Sequence, residues 1–329
     1  MITERVELLK RIEERRESKV ILYVTGDRPG LETQIHQEVY DYFVNILDSI
    51  GVVSKISLVL YTRGGNTLAA WSIVNLIRQF CDDFEVIIPN KAQSAGTLIS
   101  IGANTIVMTK QATLGPVDPS INTPLNPHIE GAPPEAKVPV SVEAVNGFLE
   151  LAISNMDKPD ANAIKDLIIQ LSHKVHPLVL GDVYRSKTQI QMLSKKLLSR
   201  TDVEKEKING IVSFLCSESG SHDYTIHRRE ARDLGLNIEK PNDEFYAEIK
   251  SLYDDFSSEL KFTERWDPIR ELGASSNISY NNKRCILEST VDKSYCFTTE
   301  GNMRKVQQGP QTQIKDNRTF EGWKNETTN

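Results

Sequence analysis

Ser94 is the hydroxyl in this sequence best placed for nucleophilic chemistry. It stands in the turn Lys91-Ala92-Gln93-Ser94-Ala95-Gly96. The small residues after it let the backbone bend sharply and present the hydroxyl together with the amide of Ala95. A second glycine-bearing turn, Arg63-Gly64-Gly65-Asn66, comes before it in the chain, and Gly65 offers an amide with no side chain in the way. One hydroxyl with two amides is the equipment of acyl transfer, in which the oxygen attacks a carbonyl and the amides stabilise the oxyanion. Ser94 also suits a helix N-cap, and glycines mark any turn. A serine hydroxyl further needs a base, and six histidines are available: His36, His128, His173, His176, His222 and His227.

The two turns need elements to hold them. Residues 56–61 and 84–89 are β-branched and apolar runs of strand length, and each leads into one of the turns. Behind the turns, residues 68–80 and 97–103 have helical apolar spacing. Two consecutive strand-turn-helix units place both turns at the same edge of a parallel sheet, where open α/β sheets bind ligands. A further strand is expected at 19–24, a helix at 38–50 capped by Gly51, and a short strand at 105–108.

The ordered runs Leu58-Val59-Leu60-Tyr61-Thr62-Arg63-Gly64-Gly65, Ala92-Gln93-Ser94-Ala95-Gly96-Thr97, Gly102-Ala103-Asn104 and Ala112-Thr113-Leu114-Gly115-Pro116-Val117-Asp118-Pro119 resemble the Clp protease and crotonase superfamily. More narrowly they resemble the Clp-fold serine proteinases called serine dehydrogenase proteinases, relatives of signal peptide peptidase A. The likeness covers roughly residues 15–240, and the segment 224–236 resembles the closing element of that fold. It implies a ClpP/crotonase-like α/β fold, a parallel sheet built from repeated ββα and βα units. It also implies a serine peptidase that needs no cofactor and assembles into homo-oligomers.

In Clp proteases the order is Ser, His, Asp, with the histidine just before a proline; here that position holds Leu114. Serine dehydrogenase proteinases, by resemblance, use Ser, Asp, His, and Asp118 and His222 fit that order. A triad is defined by roles and not by chain order. On that likeness His222 takes the proton of Ser94, Asp118 holds the imidazole, and the Gly65 and Ala95 amides form the oxyanion hole; Asp223 is a substitute for Asp118. Taken singly, His222 suits a loop histidine bonded to backbone, and Asp118 before Pro119 suits a turn. The alternative, by likeness to signal peptide peptidase A, is a lysine base at Lys196, with Lys195, Lys187 and Lys174 nearby. A crotonase-like acyl-thioester enzyme and an inactive interaction protein are further readings, though no basic cluster for a CoA phosphate stands out.

The chain has 329 residues, 39% hydrophobic and 26% charged, with a formal net charge of −6, enough for a sizeable core and unsuited to general nucleic-acid binding. Four scattered cysteines, Cys81, Cys216, Cys285 and Cys296, suggest neither a metal site nor a disulfide framework, and with no secretory signal the expected compartment is the cytoplasm. No apolar stretch reaches transmembrane length and no GxxxxGK[ST] is present, so any unfolding of substrates is expected of a separate delivery partner.

Residues 1–240 are expected to form the peptidase domain, with a proline-rich insertion at 111–140 serving as a loop, cover or subunit contact, or as a surface insertion without fixed structure. Within it, helices are expected over 142–170, broken at 157–159, over 177–198 with Leu178, Leu180, Val183, Ile190, Met192, Leu193, Leu197 and Leu198 at helical spacing, and over 203–215 capped by Thr201-Asp202. Residues 241–329 read as a small α+β appendage with a loosely held polar tail from 307. At the other end, a modest apolar stripe of Val6, Leu8, Leu9 and Ile12 marks a helix over 3–17 that docks on the core or a subunit.

Overall fold

The computed structural model describes residues 2–118, 120–133, 135–155, 160–218, 221, 223–291, 293–308 and 311–326. The chain forms two compact units: Met1–Leu114 with Arg200–Asp202 and Ile226–Asn329, and Gly115–Ser199 with Val203–Thr225.

The first unit begins with α1 (Ile2–Arg16), β1 (Lys19–Thr25), α2 (Val39–Ile50), β2 (Val53–Tyr61), α3 (Thr67–Ile77), β3 (Cys81–Ile88), β4 (Lys91–Ala92), α4 (Ala95–Ser100), β5 (Thr105–Met108) and β6 (Thr113–Leu114). Strands β1, β2, β3 and β5 pair in parallel, so Ile21, Leu58, Val86 and Ile106 lie side by side across the sheet. All four are buried, as expected of a parallel sheet covered on both faces and written as continuous apolar runs. The α2 helix stops at Gly51, whose φ of 74° is a left-handed value and whose amide bonds the Leu47 carbonyl. The α3 helix starts at Asn66, whose side chain accepts from the Ala69 amide at 2.9 Å. That cap places a helix directly after the Gly64-Gly65 turn.

The second unit holds β7 (Ser120–Ile121), β8 (Val140–Ser141), α5 (Val142–Ser154), α6 (Ala161–Ser172), α7 (Pro177–Leu198), α8 (Lys205–Ser213) and a π-helical turn, Phe214–Glu218. The β7–β8 pairing ties the two ends of the proline-rich stretch together, and Asn126 Nδ2 donates to the Val138 carbonyl at 2.9 Å inside it. The break expected at 157–159 lies outside the described residues. The α7 helix opens with Pro177 at its first position, where a missing amide costs nothing. Its buried face carries Val183, Ile190, Leu193, Leu197 and Leu198 of the expected positions together with Val179, while Leu178 and Met192 are exposed, a correction to the expected face at those two positions. The α8 helix starts after Glu204, whose side chain makes no capping hydrogen bond, and not after the Thr201-Asp202 pair.

The chain returns to the first unit with β9 (Ile226–His227), α9 (Arg228–Asp233), β10 (Ile238–Glu239), α10 (Asp243–Glu259), α11 (Pro268–Leu272), β11 (Asn277–Ser289), β12 (Ser294–Gln308) and β13 (Gln311–Asn325). The main sheet has the order β10-β5-β3-β2-β1-β11-β12-β13, and β11 runs antiparallel beside β1 with Ile21 opposite Ser289. Residues 241–329 therefore do not stand apart as an appendage, because their strands complete the sheet on the free side of β1. The tail expected to be loose is β13, paired with β12 from Gln311 to Asn325. Backbone ladder bonds hold this polar edge strand, and Trp323 packs on Phe297 and Tyr42.

The α1 helix buries Leu9 and Ile12 in a cluster with Phe245, Ile249, Leu252 and Phe256 of α10. Arg5 is fully buried beside them. Its guanidinium donates to Glu288 at 2.7 and 2.9 Å, to Asp255 at 2.7 Å and to Glu259 at 2.6 Å. Burial alone would lower the Arg5 pKa, yet the bonds and charges of Glu288 and Glu259 hold it raised. Among the described residues no helix is long and apolar enough to cross a membrane.

Candidate active site

The Ser94 turn is built by β4 running alongside the end of β2. Thr62 donates its amide to Lys91 O at 3.0 Å, and Gln93 donates to Thr62 O at 3.1 Å. A Cβ on Gly96 would lie 2.4 Å from Thr62 Cγ2, so only glycine allows α4 to start this close. Ser94 takes φ 51° and ψ −112°, a conformation costing a non-glycine residue about 1–3 kcal/mol and concentrated at working sites. Its hydroxyl has no hydrogen-bond partner among the described residues, so the strain is not repaid by a side-chain cap.

The Gly64-Gly65 turn stacks on this serine. A Cβ at Gly64 would meet Ser94 Cβ at 2.7 Å and Ser94 Oγ at 3.3 Å. The Gly64 amide is held by Thr62 Oγ1 at 3.0 Å, and Thr25 donates to that same oxygen at 2.8 Å. On the far side Ile35 pairs with the turn, donating to Gly64 O and accepting from the Asn66 amide, both at 2.8 Å. A side chain on Gly65 would strike the Ile35 backbone at 2.4 Å, and its φ of 141° is also glycine territory. This pairing uses the groups on either side of the Gly65 amide and leaves that amide without an acceptor among the described residues. The Ala95 amide, first in α4, is likewise unengaged, as helix N-terminal donors are.

A charged tie that the sequence did not disclose fixes the base of both turns. Asp27 accepts from Tyr61 at 2.8 Å, from Lys91 at 2.9 Å and from Arg63 at 3.4 Å. It joins the ends of β1 and β2 to β4. Burial, reinforced by the Asp27 charge and hydrogen bond, raises the Tyr61 phenol. The Lys-Ala-Gln-Ser spacing hints at Lys91, but nothing local pairs it with Asp27.

The remaining candidates lie elsewhere in the chain. Leu114 is buried in β6, opposite Ile226 of β9. Asp118 belongs to the second unit and is buried there, accepting from Ser141 Oγ at 3.3 Å. Beside it, burial raises the Glu143 carboxyl, with Lys187 opposing and Asp118 adding to the shift. Burial also pushes the Cys216 thiol up to about 11. Lys196, Lys195 and Lys174 are exposed, whereas Lys187 is half-buried. His222 lies outside the described residues, and Asp223 is exposed. The structure thus brings Ser94, Ala95 and the Gly64-Gly65 turn together within one unit.

Residues 1–133 match the ClpP-like SDH-type serine proteinase family. The SDH-type proteinases are serine proteases, hence hydrolases, and the matched stretch takes in Gly65, Ser94, Ala95 and Asp118 but ends before Lys196 and His222. Two relatives come from Methanocaldococcus jannaschii. Uncharacterized protein MJ0137 is 27% identical over 267 residues, covering 76% of this chain and 78% of that protein. Uncharacterized protein MJ1495 is 25% identical over 261 residues, covering 77% of each. Among solved structures, an alanine mutant of the 1510-N membrane-bound stomatin-specific protease is similar at 17% identity and a TM-score of 0.39, over 70% of this chain and 85% of that one. ClpP1 from Listeria monocytogenes is similar at 14% identity and a TM-score of 0.36, over 72% of this chain and 98% of that one.

Proposed function

We propose that the protein is an ATP-independent serine peptidase that hydrolyses peptide bonds through an acyl-enzyme on Ser94. The observation that carries this reading is Ser94 itself, held at a positive φ with an uncommitted hydroxyl between two turns whose Gly65 and Ala95 amides are unengaged. In the reaction Ser94 Oγ gives its proton to His222 and bonds the scissile carbonyl carbon. The carbonyl oxygen takes up the electron pair and is met by the two amides, an interaction worth roughly 3–4 kcal/mol per donor in the transition state. The C–N bond then breaks and His222 returns the proton to the leaving amine. Water, deprotonated by the same imidazole, releases the acid and restores the serine. Asp118 fixes the imidazole tautomer throughout. The exposure of Lys196 counts against that lysine as the base, because a lysine base needs to be desolvated.

Fluorophosphonate labelling located by mass spectrometry tests the roles. The adduct is expected on Ser94, lost in His222→Ala and retained in Lys196→Ala. The opposite pattern would establish a serine-lysine dyad, and an unlabelled, folded wild type would turn the assignment toward a thioester enzyme or an interaction protein.

We further propose that the chain forms homo-oligomers. Support comes from α6, which has no buried residue although it carries Ile164, Leu167, Ile168 and Ile169. Light scattering is expected to give a multiple of 37.1 kDa, and a mass equal to one chain would refute self-association.

A further inference from the structure

The C-terminal strands create a cavity that the peptidase reading leaves unused. It has a volume of about 520 Å³ and lies wholly within the first unit, bounded by β1, the segment 32–36, Asn66 and the strands β11 to β13. It shares Ile35 and Asn66 with the turn that carries the Gly65 amide. The cavity therefore begins one residue away from the proposed oxyanion donor.

Its walls and rim are of opposite character. Tyr23, Phe297 and Trp323 give aromatic surface, with Phe297 and Trp323 in an edge contact at 5.8 Å and Tyr42 against Trp323 at 5.1 Å. Tyr23 is 1% exposed, and its hydroxyl has no hydrogen-bond partner among the described residues although it lines the cavity. The rim carries Glu32, Glu38 and Glu321. The one arginine in the lining, Arg284, is already committed to the carbonyls of Leu31 and Glu32, to Thr299 and to Glu321. Glu321 is further paired with Arg318 at 2.7 Å. The remaining carboxylates in the lining are Glu38, 3.7 Å from His36, and Glu32, which accepts from the Gly30 amide at 3.0 Å and lies 4.0 Å from the half-exposed Arg63.

We propose that this cavity is a subsite for a basic side chain, lysine or arginine, of the peptide substrate. The apolar stem lies along Phe297 and Trp323, the cation meets Glu38 and Glu32 over aromatic faces, and the Tyr23 hydroxyl accepts a hydrogen bond from it. An acidic residue would meet these carboxylates with like charge, and an apolar one would leave the phenol without a partner.

The subsite rests on the peptidase reading, and the test separates the two. Fluorescent ten-residue peptides differing only by Lys, Arg, Gln or Glu at one position are titrated by anisotropy against full-length Ser94→Ala, which binds without cleaving. At the position that reaches the cavity, Lys and Arg peptides are expected to bind about 10-fold tighter than the Gln peptide. In Ser94→Ala with Glu38→Lys the preference is expected to invert toward the Glu peptide, a gain that a misfolded variant cannot produce. Equal affinity for all four peptides at every position, or a basic preference untouched by Glu38→Lys, overturns the subsite. Fluorophosphonate labelling of wild type reads the peptidase assignment separately: labelling without charge preference refutes only the subsite, and charge preference without labelling refutes only the peptidase.

Discussion

Ser94→Ala is expected to abolish fluorophosphonate labelling and to lower peptide hydrolysis by roughly 10⁴-fold or more, the scale for losing a nucleophile that acts as a unit with its base. The expectation follows from how the serine is held. Its φ of 51° is imposed by β4 on one side and the start of α4 on the other, and no side-chain hydrogen bond rewards it. A residue held under strain with its hydroxyl unused contributes little to stability, so alanine removes the oxygen and little else. Chemical denaturation of Ser94→Ala is therefore expected to match wild type within about 0.5 kcal/mol. Hydrolysis that persists at wild-type level in the alanine variant would remove Ser94 from the chemistry. A large loss of stability would instead make it a structural cap.

Arg5→Met is expected to destabilise the first unit by about 3–5 kcal/mol, the cost of removing one partner from a buried charge network. Methionine keeps much of the side-chain volume, so the loss measures electrostatics more than a cavity. Glu288, 2% exposed, would keep Ser294 Oγ as a partner at 2.9 Å but lose both bonds from the guanidinium. Glu259 would still have Lys283 at 2.6 Å. The stranded charge is therefore mainly that of Glu288, and adding Glu288→Gln to Arg5→Met is expected to recover about 1 kcal/mol or more. Urea unfolding followed by tryptophan fluorescence and circular dichroism gives both numbers. A change below about 1 kcal/mol in Arg5→Met would show that hydration compensates the lost pairs and that the network adds nothing to the fold.

The parts of this molecule that are local in the chain could be read from it. The strands before Gly64 and Ser94 are uninterrupted apolar runs, and the turns are spelled by glycine, alanine and serine, so the convergence of Ser94, Ala95 and the Gly64-Gly65 pair follows from two successive strand-turn-helix units. The α7 helix was legible for a similar reason, through Pro177 at its start and its apolar spacing. Leu178 and Met192 fit that spacing yet face outward, because helical period alone does not say where an apolar face ends. Arg5 could not be recognised, since a buried arginine and a surface arginine look alike until the glutamates from α10 and β11 arrive. The β13 strand was hidden because an edge strand held by ladder bonds can be almost wholly polar. The pairing of Ile35 with Gly65 and the tie of Asp27 to Lys91 join residues that no spacing rule connects. Asp118 and His222 rest on the family likeness, because a catalytic role assigned to separate loops leaves no periodic mark.

The antiparallel seam between β1 and β11 also governs the order in which the molecule can be made. Ile21 must wait for Ser289 before its second neighbour exists, so the sheet has a very high contact order at its centre while β1, β2, β3 and β5 come from successive segments. During synthesis β1, β2, β3 and β5 can pair as they leave the ribosome, and the Ser94 turn can close with them. Throughout that interval β1 is an open sheet edge, the kind of surface on which nascent chains pair wrongly. The cavity beside Gly65 has no far wall until residues 284–323 have been translated. A newborn chain thus acquires its strained serine before it acquires the strands that would choose what the serine meets.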